Sequence, residues 1–136
     1  MRKKILAVPT IAVVVIALTA MLVAMNAEDS NESAQPTNDT NLVSITISSS
    51  RPGCETTDTC YVPHEITVNL GRSVTWLNDD SAFHTVTSGY YDVPDGLFDS
   101  KQLDPSQKFS HMFSEPGQFQ YYCKLHPWME GKVIVN

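Results

Sequence analysis

A thiol, an imidazole and a thioether stand at three-residue spacing near the C-terminal end of the chain, in Cys123-Lys124-Leu125-His126-Pro127-Trp128-Met129. Thiolate and thioether are soft donors that favour Cu(I), and imidazole serves copper in both oxidation states. Two His, one Cys and a weak axial Met form the donor set of a mononuclear type-1 (blue) copper site, whose chemistry is one-electron transfer. The loop holds three of those donors. His84, in Ser81-Ala-Phe-His-Thr-Val-Thr87, is the expected fourth, placed where a polar loop passes into an alternating run. The candidate copper ligands are therefore His84, Cys123, His126 and Met129, and no residue is assigned a catalytic role.

Other residues of the same types read differently. His64 enters a strand from Val62-Pro63 and reads as a solvent-side residue. His111 shares a face with Phe109 and Phe113 and reads as a core or rim histidine. Met112 points the opposite way from Phe113 along an extended run. Cys54 and Cys60 sit close together in a polar stretch, and a disulfide between them is expected outside the cytosol. The alternative is a second metal site with His64 through Cys60-x3-His64. The disulfide would leave Cys123 as a free thiol, as a copper ligand requires.

The elements that must position these donors are strands. From Leu42 onward the apolar period is two: Val43, Ile45 and Ile47; Ile66, Val68 and Leu70, followed by a turn at Gly71; Val74 and Trp76; Phe109, His111 and Phe113; Phe119, Tyr121 and Cys123; Val133 and Val135. These runs are short, rich in β-branched and aromatic residues, and separated by Gly, Pro, Asn and Asp. They predict an all-β fold, an antiparallel Greek-key sandwich or barrel. The stretch from Ser88 to Gln107, broken by Gly89, Pro94 and Gly96, is expected to be irregular or a wandering edge. Cys123 ends a strand on the face of Phe119 and Tyr121, so its sulfur is expected to face the apolar end of the sandwich. His126 then turns back toward it, Met129 follows, and Gly131 opens the last strand.

The N-terminal end has a different character. Arg2, Lys3 and Lys4 precede an uncharged apolar run, Ile5 to Met25. At a helical rise this run reaches about 31 Å, close to the bilayer hydrocarbon thickness. Residues 1–25 read as a signal peptide or a membrane anchor through residues 5–25. The length, and an exit at Met25-Asn26-Ala27 with a large residue where a cleavage site wants a small one, favour the uncleaved anchor. Residues 26–41 form a polar linker with sequons at Asn31 and Asn38, and residues 42–136 form the copper domain. Either reading of the leader places that domain outside the cytoplasm, periplasmic or at the cell surface.

The whole chain has 136 residues and a net charge of −6. From residue 42 onward it carries six Lys or Arg against eleven Asp or Glu. That balance argues against nucleic-acid binding, which needs a basic footprint, and suits a basic or neutral protein partner. With four His in all, the chain lacks the ligands for a trinuclear cluster beside a type-1 site. The single Cys in the ligand loop is one too few for a dinuclear copper centre. A monomeric electron carrier that is not an enzyme is the expectation.

The chain resembles the plastocyanin/azurin family of cupredoxins over roughly residues 42–136. The resemblance rests on Cys123-x2-His126-x2-Met129 with Pro127 after the His, Val74-Thr-Trp-Leu-Asn-Asp79 before the first ligand, the turn from Phe113 to Gly117, and Gly131-Lys-Val-Ile-Val135 at the end. The ligand loop is most similar to that of amicyanins, plastocyanin's being longer. The resemblance implies His84, Cys123, His126 and Met129 as ligands of one copper ion, and a one-electron carrier. It also implies redox-partner proteins, among them membrane oxidoreductases, docking on an apolar patch near His126 and Trp128. The chain departs from the family around its upstream ligand, which is often preceded by Pro and followed by Asn. Phe83 and Thr85 stand there instead, and Thr85 is the residue able to replace the Asn hydrogen bond between the ligand loops.

Overall fold

The computed structural model describes residues 41–136. The leader at 1–25, the sequons and the linker up to residue 40 lie outside the described residues. Among the described residues no helix is long and apolar enough to cross a membrane.

The alternating runs become strands of two sheets. These are β1 (Leu42–Ile45), β2 (Tyr61–Val62), β3 (Glu65–Val68), β4 (Ser73–Asn78), β5 (Thr87–Tyr90), β6 (Val93–Asp99), β7 (Lys108–Met112), β8 (Gly117–Cys123) and β9 (His126–Val135). One sheet has the order β2-β1-β4-β7 and the other β3-β9-β8-β5-β6. Inward residues from both fill the space between them. Val43, Ile45, Tyr61, Val74, Trp76, Tyr121 and Val133 are all fully buried. Each large side chain so enclosed contributes about 2–3 kcal/mol relative to exposure. Trp76 is central: its ring meets Tyr121 edge-on at 5.3 Å and lies 5.8 Å from both Phe98 and Phe109.

Four sequence expectations need correction or narrowing. The sheets are not purely antiparallel, because β1 runs parallel to β4 and β3 parallel to β9. The chain changes sheet between β2 and β3 and again before β4, so it returns beside β1 in the same direction. The alternation at both early runs stops sooner than the pattern suggests: Ile47 and Leu70 lie beyond β1 and β3 and are exposed. Gly71, at φ 78°, turns the chain there, a conformation glycine adopts without steric penalty. The stretch from Ser88 to Gln107 is irregular only after Asp99; its first part is the β5–β6 hairpin, with β6 at the sheet edge, as the second of the two expectations for it had it. Five successive exposed residues, Val93 to Leu97, leave β6 without the alternation that would have marked it. Finally, the last strand begins at His126 rather than Gly131, because Cys123 already pairs with His126. Gly131 matters for another reason: the Tyr121 ring lies directly against its Cα, where any Cβ would collide with it.

The loops after β1 and β4 and the turn from β8 to β9 gather at one end of the sandwich. Ile45 and Asn78 are paired at the ends of β1 and β4, and Cys123 ends β8.

Candidate metal centre

Cys123 closes β8 with its side chain fully buried and is the free cysteine among the described residues. Cys54 and Cys60 are joined in a disulfide, which removes the alternative of a Cys60/His64 metal site. Two imidazoles face the free sulfur. The Nδ1 of His84 lies 3.8 Å from Cys123 Sγ and the Nδ1 of His126 lies 3.5 Å from it. The two rings are 4.7 Å apart, and all three donor atoms fall within 4.8 Å of one another. A first-row ion with bonds of about 2.0 Å to nitrogen and about 2.3 Å to sulfur, at the centre of a trigonal plane, separates nitrogen from sulfur by about 3.7 Å. The spacing therefore fits a single transition-metal ion between two Nδ1 atoms and one thiolate. Met129 is fully buried in the same core. Met112 is 60% exposed and lines a groove with Leu97, His111 and Phe119.

His84 reaches its position without a regular strand. It pairs with Leu103 through an isolated bridge, N–H to carbonyl in both directions. The preceding loop is held by Asn78, a fully buried side chain whose amide donates to Ala82 O and Leu103 O and accepts from Asp80 N. His84 is also fully buried, and its Nε2 lies 3.0 Å from Oδ2 of Asp80, which is itself buried. Burial works against a charged Asp80. The hydrogen bond from His84 and the backbone N–H groups of Ser48, Ser81 and Ser50 outweigh it and hold the carboxyl well below the usual carboxylate range. An ionised carboxylate only accepts, so Nε2 must carry the proton. Burial in turn lowers the His84 pKa, against the pull of Asp80. The imidazole is neutral, with the Nδ1 lone pair turned to the sulfur. A carboxylate accepting from the far ring nitrogen in this way fixes a metal-binding histidine's tautomer and orientation.

The residue after His84 ties the two ligand segments together. Thr85 N–H donates to Cys123 Sγ at 3.3 Å, and Thr85 Oγ1 accepts from Lys124 N at 2.8 Å. Its carbonyl accepts from the buried hydroxyl of Tyr61. Thr85 thus makes the inter-loop hydrogen bond expected of it. Lys124 also reaches Asp99, which pairs with Lys101 as well.

His126 is less enclosed. Its ring is half-buried, 5.4 Å from the Trp128 ring. Burial and the neighbouring His84 both lower its pKa. Leu125 and Pro127 beside it, and Phe83 beside His84, are exposed. The remaining histidines stand apart. His64 is partly exposed near Asp58. His111 stacks on Phe98 and Phe113, and burial lowers its pKa. Asp80 and Asn78 were missed in the sequence, although an Asp four residues ahead of His84 in a polar loop is a signal that points to such an orienting contact.

The description of copper-binding proteins of the plastocyanin/azurin family matches residues 49–136. The amicyanin of Paracoccus versutus is 33% identical over 76 residues, which cover 56% of this chain and 58% of that protein. The chloroplast plastocyanin of Physcomitrium patens is 33% identical over 84 residues, covering 56% and 50%. The chain thus spans little more than half the length of these relatives. Among solved structures, a purple cupredoxin from Nitrosopumilus maritimus superposes with a TM-score of 0.64 at 32% identity, over 70% of this chain and 98% of that one. A Cu(I) form of an amicyanin variant superposes with a TM-score of 0.55 at 26% identity, over 70% and 80%. With a His/Cys/His donor set of the right spacing inside the matched residues, the chain belongs to the copper-binding plastocyanin/azurin family, and its cofactor is copper.

Proposed function

We propose that this chain is an extracytoplasmic electron carrier, not an enzyme, in which His84, Cys123, His126 and Met129 would hold one type-1 copper ion. The observation that carries the reading is the pair of Nδ1 atoms at 3.8 and 3.5 Å from one buried, free thiol. Bound there, copper supplies a Cu(II)/Cu(I) couple that takes up and releases one electron. The chain's own residues do the rest. Strand and loop hydrogen bonds hold the donors in place, which keeps reorganisation small when the charge changes. Tyr61, Tyr121 and Trp76 keep water from the inner side. His126, half open between exposed Leu125 and Pro127, is the edge through which electrons pass to docked partners. The excess of acidic residues steers the domain toward basic or neutral redox proteins, membrane oxidoreductases among them. The disulfide and the apolar leader support a place outside the cytoplasm, with 1–25 as leader or anchor, 26–41 as tether and 42–136 as the copper domain.

Voltammetry of the copper-loaded protein tests this. A reversible, fast one-electron couple is expected. Met129→Leu should raise the potential while leaving the protein coloured, since the axial donor tunes the couple without anchoring the metal. Sluggish or absent cycling contradicts the carrier role, and an unchanged potential in the variant removes Met129 from the ligand set.

A further inference from the structure

The long loop between β1 and β2 touches both ligand-bearing segments through three consecutive residues. Ser48 N–H donates to Asp80 Oδ1 at 2.9 Å, and Ser50 N–H donates to Asp80 Oδ2 at 3.2 Å. That carboxylate holds His84. Between them, the carbonyl of Ser49 accepts from Trp128 Nε1 at 3.0 Å, two residues after His126. One loop therefore grips the support of the buried histidine with two donors and the ligand turn with one acceptor.

The loop has its own brace. Ser49 is fully buried, and its hydroxyl reaches the carbonyls of Thr46 and Cys60. Thr46 N–H also donates to Cys60 O. Cys60 is bonded to Cys54, whose carbonyl accepts from Thr59 N–H. Ser48 sits at φ 71°, a left-handed conformation that a non-glycine residue holds only when its surroundings impose it. Apart from a single 3-10 turn at Cys54–Thr57, this loop has no regular structure to hold that geometry, and a cross-link limits the conformations open to it.

We propose that the Cys54–Cys60-braced segment Thr46–Cys60 is a clamp that positions both copper-binding loops, with Asp80 and Trp128 as the positioning residues through which it acts. The disulfide is then a part of the redox site's architecture, although neither sulfur reaches the metal. The inference rests on the copper reading above and extends it to residues outside the ligand set.

The test uses the full chain in four forms: wild type, Asp80→Ala, Trp128→Phe, and Cys54→Ala/Cys60→Ala. Loss of an orienting partner behind a metal-binding histidine lowers metal affinity by about 10–100-fold, and Asp80→Ala should fall in that range. Trp128→Phe and the double cysteine variant should lose affinity in the same direction by less. Both should also shift the reduction potential and broaden the copper EPR hyperfine lines. In metal-free protein, the double cysteine variant should exchange the Trp128 indole N–H and the Ser48 and Ser50 amides faster than wild type. This readout needs no copper, and Trp128→Phe keeps the disulfide, so a fold lost in the cysteine variant still leaves a test. Wild type that fails to take up Cu(II) as a coloured complex rejects the copper reading, while the exchange comparison still judges the clamp. Wild-type affinity, potential and EPR in Trp128→Phe and the cysteine variant, with unchanged exchange, overturn the clamp and leave the copper reading standing.

Discussion

The two loops that bring histidine to the sulfur are held in opposite ways. The His84 loop has no regular strand, yet its ring is fully buried and its Nε2 is tied to a carboxylate with three further backbone partners. The His126 turn joins two long paired strands, yet its ring is half open and packs against Trp128. Regular secondary structure is therefore not the only thing that fixes a ligand in this protein. Position is fixed by buried polar contacts at His84, where nothing needs to move or be reached. Access is kept at His126, where strands on both sides carry the rigidity and the ring stays half open beside Trp128.

The largest expected effect tests that contrast at the ligands themselves. His84→Gly and His126→Gly should both abolish the blue colour with Cu(II). Added imidazole should restore it only in His126→Gly, whose vacated position opens to solvent. Equal rescue of both variants would show that the two positions are equally accessible.

A smaller effect is expected where the loops meet. Thr85→Val removes the acceptor for Lys124 N and should destabilise the metal-free protein by about 1 kcal/mol. For a domain of this size that is roughly 4–8 °C in Tm. An unchanged melting temperature would mean that the loops are joined by other contacts.

The smallest effect is electrostatic. Burial disfavours a charged Asp99, but its bonds with Lys124 and Lys101 prevail and hold the carboxyl below the usual carboxylate range. A folded value below the unfolded one contributes stability above the unfolded carboxylate pKa, and that contribution is lost as pH falls toward the folded value. For a partly exposed pair it amounts to about 0.5–1 kcal/mol. Thermal melts should show Asp99→Asn less stable than wild type at neutral pH, with the gap closing below about pH 4. A gap that persists undiminished into strong acid contradicts the assignment.

Much of this molecule was readable from its residues because strands with one buried face carry a period of two, and because Cys123, His126 and Met129 are close in sequence. The ligand turn needed only local spacing, and Thr85 could be named because it follows a ligand directly. The sheet partners of β1 and β3 were not readable, since parallel pairing depends on which sheet the chain crosses to. Nor was the extent of the β6 strand, whose five successive exposed residues show no alternation. Asp80 lay within reach, four residues ahead of His84, but the Ser48–Ser50 contacts were hidden for a related reason. Their partners are 30 or more residues away, or lie across the sandwich end, and backbone donors leave no mark on side-chain pattern.

The central claim is that Cys123 and two Nδ1 atoms hold copper, and its most direct test is titration of the metal-free full chain with Cu(II), beside Cys123→Ser. The wild type should take up one equivalent and develop an intense visible thiolate-to-copper band with narrow EPR hyperfine splitting, while Cys123→Ser develops neither. A wild type that stays colourless, or a Cys123→Ser variant that turns blue, would contradict it.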